Sequence, residues 1–333
     1  MAQKADKDTT DAIKKINVIV PGSNPQFLHL DITSLKSAHS AAHEFLGKED
    51  RLDILVNNAG IAFTPYQLSE DGIELQLCNA IGHFAFTFPL LDLLKKTSKE
   101  PGSHVRIVNV ASVAHSWVKG TPDFSSVDSL NRHSYFTTDR YGLSKLMKIL
   151  FTNELQRRLS STRIICTSVH PGGVNTKLAT GVLPVKCLQQ SFFPWAISKV
   201  LLTPKDGAFN SLYAATALEL EDKDLRAAYL HPFGVVTIPS VLAQDTTQAK
   251  KLWDLCEKLV REKVADYHPD GPKSHGMVTR TSDLAQNPTL AKTFWNVYKK
   301  QTLKENVASH QSIGVQNVLA SSSLVKRKVL IAQ

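Results

Sequence analysis

Two residues with complementary proton chemistry, Tyr141 and Lys145, are separated by four positions. On a helix this spacing places both side chains on one face. A tyrosine hydroxyl can exchange a proton with a substrate oxygen, but its pKa is normally about 10. A nearby ammonium group favours the phenolate, so we expect Lys145 to lower the pKa of Tyr141 into the range useful for acid–base catalysis. The pair suits the proton transfer that accompanies interconversion of an alcohol and a carbonyl compound.

Two further polar residues could serve the same chemistry. Ser112 follows the apolar run at 105–111 and offers a hydroxyl that could hydrogen-bond a substrate oxygen beside Tyr141. Its structural alternative is a cap at the end of a strand. Asn79 lies inside a long apolar segment, where its amide would be costly unless it is hydrogen-bonded. Both residues depend on a fold that brings them close to Tyr141.

The segments around these residues predict an alternation of strands and helices. Four apolar runs have the length of strands: 26–31, 52–57, 105–111 and 163–170. Three segments carry a helical pattern of apolar residues: 41–49, 73–96 and 141–159. Such alternation is typical of parallel βαβ units in a doubly wound sheet with helices on both faces. Ligands of these sheets bind beyond the carboxyl ends of the strands, so the residues that follow each strand are candidates for the site.

Six segments, in this order along the chain, resemble the short-chain dehydrogenase/reductase family over about residues 12–263, in particular its retinol dehydrogenases and their fungal relatives. They are LDILVNNAGI (52–61), CNAIGHFAFT (78–87), RIVNVAS (106–112), YGLSKLMKILFTNEL (141–155), HPGGVNTKL (170–178) and DGAFNSLYAAT (206–216). The resemblance implies a Rossmann-type α/β fold of three layers, αβα, and an NAD(P)-dependent oxidoreductase. It gives catalytic roles to Ser112, Tyr141, Lys145 and Asn79, with Asn79 holding a water molecule in a proton relay to Lys145. The alternative for Asn79 is a structural tie between a helix and a loop.

The same resemblance implies a set of cofactor contacts. Asp31 would contact the adenine ring, although it could instead cap the following helix, since aspartate is a favoured N-cap residue. Pro171 and Gly172 suit a loop that passes close to a flat ring, because no bulky side chain obstructs the approach at glycine. The full set is Asp31, Asn58, Ala59, Gly60, Tyr141, Lys145, Gly172, Val174 and Thr176. The expected cofactor is NADP, or else NAD. No metal ligands are expected, since His83, His115 and His170 lack metal-ligand spacing and are interpreted as ordinary polar or core residues.

One departure from the family pattern concerns the loop that binds the cofactor phosphates. A glycine-rich turn should follow the first strand, but only two glycines precede Gly60, and prolines interrupt the one candidate turn near Gly22. By its spacing the chain begins near the second helix of the family fold. We therefore expect an N-terminally truncated sheet, in which strand 26–31 moves beside 52–57 or an edge stays unpaired, and weak dinucleotide binding. Two alternatives follow: a non-catalytic remnant that no longer binds the dinucleotide, and an incomplete gene model.

Two segments are expected to form the substrate site. Ser112 and Tyr141 are 29 residues apart, and the insert between them, with its aromatic residues, would line the mouth of the site. Residues 182–202, rich in Leu, Phe and Trp, would form the opposite wall. Together they favour a bulky lipophilic alcohol or ketone as the substrate, such as a terpenoid, steroid-like or retinoid-like secondary metabolite.

Composition sets the remaining expectations. The 333 residues carry a net charge of +9, of which +5 lies in 264–333. We expect the family domain over 1–263 and a basic, loosely ordered tail over 264–333, with no nucleic-acid partner. Scattered single cysteines and a polar start indicate reduced thiols and a cytoplasmic location. Residues 182–202 are too interrupted for a transmembrane span, although a surface-lying helix there is compatible with peripheral membrane contact. The sequence also allows a homodimer.

Overall fold

The computed structural model describes residues 7–23, 25–131, 137–174, 201–264 and 328–332. The chain divides into two compact units, one made of Met1–His29 and Met277–Lys328 and the other of Leu30–Gly276 and Val329–Gln333. In the first unit the described secondary structure is helix α1 (Lys7–Ile19). Residues 16–19, which superficially resemble a strand, are therefore helical.

The second unit contains the elements that build the site. Its α-helices are α2 (Leu35–Leu46), α3 (Cys78–Ser98), α4 (Val127–Leu130), α5 (Thr137–Arg158), α6 (Pro204–Thr216), α7 (Glu219–Asp222) and α8 (Thr246–Lys263). Its strands are β1 (Ile54–Asn57), β2 (Arg106–Val110), β3 (Ile165–Val169), β4 (Tyr229–His231), β5 (Val235–Val236) and β6 (Val329–Ala332). Short 3₁₀ helices cover Val113–Trp117, Pro232–Gly234 and Val241–Gln244.

The six strands form one sheet in the order β5-β4-β3-β2-β1-β6. Every neighbouring pair is parallel except β4 and β5. The strand runs predicted at 52–57, 105–111 and 163–170 are confirmed as β1, β2 and β3. The run at 26–31 is not a strand, and the prediction of one there is wrong.

Helices cover both faces of this sheet. Alternate strand residues such as Ile54, Val56 and Val108 pack against Ala214 and Ala215 of α6 on one face. The intervening residues of each strand point to the other face of the sheet. There α2, α3, α5 and α8 pack against one another. This is the three-layer αβα arrangement that the sequence predicted.

The edge of β1 that the sequence left unpaired is occupied. Strand β6 lies parallel to β1, with Ile54 opposite Val329 and Asn57 opposite Ala332. The backbone N–H groups of Asn58 and Ala59 donate to the carbonyl oxygen of Ala332 at 3.1 and 2.7 Å. The expectation of an unpaired edge is therefore wrong, and Val329–Ala332, placed in a loosely ordered tail, belong to the sheet. Their apolar side chains suit a strand that adds to an exposed ladder.

A close backbone approach fixes the start of α3 against the loop before α2. A Cβ atom at Gly82 would lie 2.0 Å from the carbonyl oxygen of Ile32, so glycine is required where the helix passes this loop. The N-cap of α2 is Ser34, whose side chain accepts a hydrogen bond from the N–H of Ser37. Within the described ranges, no helix is both long and apolar enough to cross a membrane.

Candidate active site

Ser112 and Tyr141 meet just beyond the carboxyl end of β2. Ser112 directly follows the strand and caps the 3₁₀ helix Val113–Trp117, where its Oγ accepts from the N–H of Ala114 at 3.2 Å. Its hydroxyl also hydrogen-bonds that of Tyr141. The structural alternative for Ser112 thus describes its capping contact, while its hydrogen bond to a substrate oxygen stays a prediction.

The surroundings of Tyr141 are apolar. Its side chain is buried against Ala62 and Ala114, and its ring centroid lies 4.9 Å from that of Phe63. Burial raises the pKa of Tyr141 because the charged phenolate is poorly solvated, and the hydrogen bond from Ser112 opposes this shift. The sequence-based expectation was the opposite, a pKa lowered by Lys145.

The position of Lys145 explains that difference. Its amine is buried, which lowers its pKa to about 8, and its Nζ donates to the carbonyl oxygen of Val110 at 3.2 Å. The Nζ atom lies 5.4 Å from the centre of the Tyr141 ring. The lysine lies on the same helical face as the tyrosine, as predicted, but the hydrogen bond that its amine donates goes to the end of β2.

Asn79 ties helix α3 to the loop after β1. Its fully buried amide donates to the carbonyl oxygen of Ile61 at 2.8 Å and accepts from the N–H of Ile61 at 2.9 Å. It also lies 3.3 Å from Oγ of Ser144 on α5. A Cβ atom at Gly60 would come within 3.1 Å of Asn79 Oδ1. The structural alternative for Asn79 thus describes its contacts, while its relay role stays a prediction.

The predicted cofactor residues are brought to the carboxyl edge to different extents. Asn58, Ala59 and Gly60 follow β1, and the first two bind Ala332 through their N–H groups. Gly172 has a φ of +90°, a conformation that glycine readily adopts. Val174 pairs with Leu202 in an isolated parallel β-bridge, whereas Thr176 lies outside the described residues.

Asp31 is engaged by its own loop. Its Oδ1 accepts from the N–H and the hydroxyl of Thr33 at 2.8 and 2.7 Å. The carboxylate therefore stabilises a turn two residues ahead, and Ser34 takes the cap position. The alternative of Asp31 as the N-cap is wrong, and its adenine contact stays a prediction.

The described residues fit one end of a nicotinamide dinucleotide. Tyr141 and Lys145 offer a hydroxyl and an amine that match the hydroxyl groups of a ribose. Beside Gly172 the side chain of Leu202 approaches closely, since a Cβ atom at the glycine would lie 2.5 Å from its Cδ1. A pyrophosphate needs several backbone N–H groups at a glycine-rich helix N-terminus, and the described part of the chain contains no such turn at the edge formed by β1 and β6. The described residues thus offer partners for the ribose next to the nicotinamide and no match for the pyrophosphate.

Sequence reasoning missed two contributors to the site. His115 connects Ser112 to a distant loop, because its Nδ1 lies 2.8 Å from the carbonyl oxygen of Ser112 and its Nε2 accepts from the N–H of Ser240 at 3.0 Å. Lys148 lies fully buried one turn after Lys145. A cationic residue three positions from Lys145, with two apolar residues on each side of it, could have signalled it. In the portion of the chain that the structure covers, no cluster of residues could hold a metal ion.

The expected substrate walls are described in part. In the insert, Phe124 is buried and Trp117 is 44% exposed, while residues 132–136 are outside the described ranges. Most of 182–202, the expected opposite wall, is also outside them. A cavity of about 300 Å³ lies between the insert and α8, lined among others by Phe124, Leu255 and Lys258. None of the predicted catalytic residues lines it.

Comparison with known proteins identifies the family. The model of the short chain dehydrogenase family matches residues 1–184. A chloroplastic short-chain dehydrogenase, TIC 32 A of Brassica napus, is 39% identical over 269 residues, covering 78% of this chain and 80% of the relative. Retinol dehydrogenase 14 of Homo sapiens is 39% identical over 237 residues, covering 69% of this chain and 65% of the relative.

A solved structure agrees with these sequence relatives. The crystal structure of an uncharacterized protein from Mycobacterium paratuberculosis is 31% identical, with a TM-score of 0.50, and the match covers 70% of this chain and 74% of the other. The family match, the level of identity and the sheet with its Ser, Tyr and Lys residues at one edge lead to a single assignment. The chain belongs to the short chain dehydrogenase family of oxidoreductases, enzymes that act on CH–OH groups.

Proposed function

We propose that this protein interconverts a lipophilic secondary alcohol and its ketone with a nicotinamide dinucleotide. The observation that carries the proposal is the placement of the Ser112 and Tyr141 side chains together beyond β2, where the Ser112 hydroxyl acts to lower the pKa of Tyr141, with Lys145 one helical turn away. A hydroxyl pair at the carboxyl edge of a doubly wound sheet lies where such folds bind their ligands.

The bound dinucleotide would supply the hydride acceptor or donor. Tyr141 would exchange a proton with the substrate oxygen, and Ser112 would donate a hydrogen bond to the same oxygen. The apolar surroundings of Tyr141 raise its pKa, so the tyrosine stays protonated at neutral pH and is a proton donor in the direction of ketone reduction. Asn79 would keep the loop after β1 in place beside the reaction centre, and a relay of protons through it is part of the proposal.

The cofactor contacts are proposed on the same basis. Tyr141 and Lys145 would hold the ribose next to the nicotinamide, with Gly172, Val174 and Thr176 along the ring. Asn58, Ala59 and Gly60 would line the path of the cofactor after β1, and Asp31 would meet the adenine. NADP in preference to NAD rests on the resemblance to fungal reductases alone.

The proposal also covers the class of substrate, the location of the protein in the cell and its oligomeric state. Phe63 against Tyr141 and the exposed Trp117 in the insert favour an apolar substrate, and one relative is named a retinol dehydrogenase. A terpenoid or related secondary metabolite, a cytoplasmic location, peripheral membrane contact and a homodimer complete the proposal.

A second candidate function is that of a non-catalytic scaffold that no longer binds the dinucleotide. It is favoured by the lack of a pyrophosphate-binding turn in the described ranges, since two or three missing charge-assisted hydrogen bonds would weaken binding by about 3–8 kcal/mol. The two candidates are separated by incubating the purified chain with millimolar NADPH or NADH and a panel of retinoid, steroid and terpenoid ketones. Ketone-dependent loss of nicotinamide absorbance supports the enzyme. Its absence for every ketone, together with no binding of NADPH or NADH to the folded chain at millimolar concentration, supports the scaffold.

A further inference from the structure

Lys148 is a lysine enclosed within the protein next to the candidate active site. It lies on α5, three residues after Lys145, and its side chain has no exposed surface. A charged ammonium in such a position is costly unless a carboxylate compensates it. Within the described residues, Lys148 forms no ion pair.

The amine of Lys148 instead has two neutral partners. Its Nζ lies 2.8 Å from Nδ1 of His83 on α3 and 3.3 Å from the carbonyl oxygen of Asn57 at the end of β1. His83 is also fully buried. Nδ1 of His83 lies 2.7 Å from the carbonyl oxygen of Asn79, so Lys148 connects to the residue that holds the loop after β1.

The hydrogen positions in this cluster follow from the acceptors. The carbonyl oxygen of Asn79 can only accept, so its 2.7 Å contact is a hydrogen bond in the tautomer of His83 that carries the hydrogen on Nδ1, and we assign that tautomer. Nζ of Lys148 faces the same N–H and can accept from it only through a lone pair, which an ammonium group does not have. An uncharged amine satisfies both contacts, because it accepts from His83 and donates to the carbonyl oxygen of Asn57.

Electrostatics favours the same state. The groups that face Lys148 are His83 from α3, the Asn57 carbonyl from β1 and Lys145 from its own helix. Burial and the nearby Lys145 both lower the pKa of Lys148 well below its usual value. Burial and the two lysines likewise lower the pKa of His83, against the hydrogen bond to Asn79 that raises it. A second positive charge here would compete directly with the one on Lys145.

We propose that Lys148 is held as an uncharged amine that positions His83 and Asn79, and that its neutrality leaves the positive charge of this pair of lysines on Lys145. Lys148 is thus a positioning residue for the proposed reaction. The part that concerns catalysis rests on the proposed function, whereas the charge state of Lys148 does not.

The charge state is tested without cofactor or substrate, by the free energy of unfolding as a function of pH. In the unfolded chain Lys148 takes up a proton below about pH 10.4, while in the folded protein it stays neutral well below that value. The unfolded state therefore binds one more proton, and the folded protein gains stability as the pH rises. Lys148→Met removes this gain and keeps an unbranched side chain that ends at the ε position, one atom short of the lysine amine.

Between pH 7 and 8, the unfolding constant of the unsubstituted protein should fall relative to that of Lys148→Met by up to about tenfold. Lys145→Met is the matched control, because the pKa of Lys145 is about 8 and its own contribution should change the unfolding constant by only about twofold between pH 7 and 8. Parallel curves for the unsubstituted protein and Lys148→Met over this interval would show that Lys148 is charged and would overturn the proposal. If Lys148→Met does not fold, Lys148→Gln serves in the same comparison.

The effect on Lys145 is read from the pH dependence of kcat/KM. Lys148→Met should leave the limb assigned to Lys145 in place, whereas Lys148→Arg, permanently charged, should move it to lower pH by about one unit or more. A shift to higher pH in Lys148→Met would contradict the proposal, since it would reveal a charge that the substitution removed. If no variant turns over, the proposed function fails, and the unfolding comparison still decides the charge of Lys148.

Discussion

Replacing Asn79 by alanine separates the two roles that its sequence position allows. The amide makes two hydrogen bonds to the backbone of Ile61, at 2.8 and 2.9 Å, and a longer one to Ser144 at 3.3 Å. Each hydrogen bond contributes about 0.5–1.5 kcal/mol, and its loss costs more where the partner stays buried. Because Ile61 is half-buried, water can replace part of the loss. We expect Asn79→Ala to lower the free energy of unfolding by about 2–4 kcal/mol.

Urea unfolding followed by tryptophan fluorescence measures this change. Asn153→Ala is the matched control, since Asn153 donates a single hydrogen bond, to the carbonyl oxygen of Ala243 at 2.8 Å, and should lose about 1 kcal/mol. A stability of Asn79→Ala within about 0.5 kcal/mol of the unsubstituted protein would refute the structural tie. Loss of turnover in such a stable variant would leave the proton relay as the role of Asn79.

Three other substitutions test separate parts of the fold. Gly82→Ala places a methyl group 2.0 Å from the carbonyl oxygen of Ile32, so we expect a loss of about 2 kcal/mol or more in thermal unfolding. Leu330→Asp puts a charge on the half-buried middle of β6 and should lower stability by about 1–3 kcal/mol; an unchanged urea midpoint would contradict the pairing of β6 with β1. Arg140→Met leaves the buried carboxylate of Glu74 without its ion pair at 3.0 Å, and should cost about 3–5 kcal/mol at neutral pH, less in acid where Glu74 is protonated.

The sequence predicted the parts of the fold that are coded locally. Strands β1, β2 and β3 follow continuous apolar runs, and the helical patterns at 73–96 and 141–159 correspond to α3 and α5. The run at 26–31 is also largely apolar, but it has no neighbouring strand to pair with in the structure. Local composition does not reveal whether such a neighbour exists. Strand β6 is the converse case, because four apolar residues become a strand only through the free edge of β1, far away in sequence.

In the candidate site, too, local geometry was predictable from the sequence and contacts between distant segments were not. The spacing of Tyr141 and Lys145 correctly placed them on one helical face, since helix geometry is local. The direction of the Tyr141 pKa was wrong, because it depends on burial by Ala62 and Ala114 and on the turn of Lys145 toward Val110. The neutral state of Lys148 depends on contacts from α3 and β1, which only the folded chain brings together.

In the proposed reaction Tyr141 exchanges the proton with the substrate oxygen, and the rate of ketone reduction by Tyr141→Phe at saturating cofactor measures its contribution. The substitution removes one hydroxyl and keeps the buried ring. Tyr213→Phe is the control, because it removes a phenolic hydroxyl that binds Glu219 at 2.7 Å on the opposite face of the sheet. We predict that kcat falls by about 10²–10⁴-fold in Tyr141→Phe and stays near its original value in Tyr213→Phe. A Tyr141→Phe variant that folds normally and retains kcat within about tenfold of the original would contradict the account.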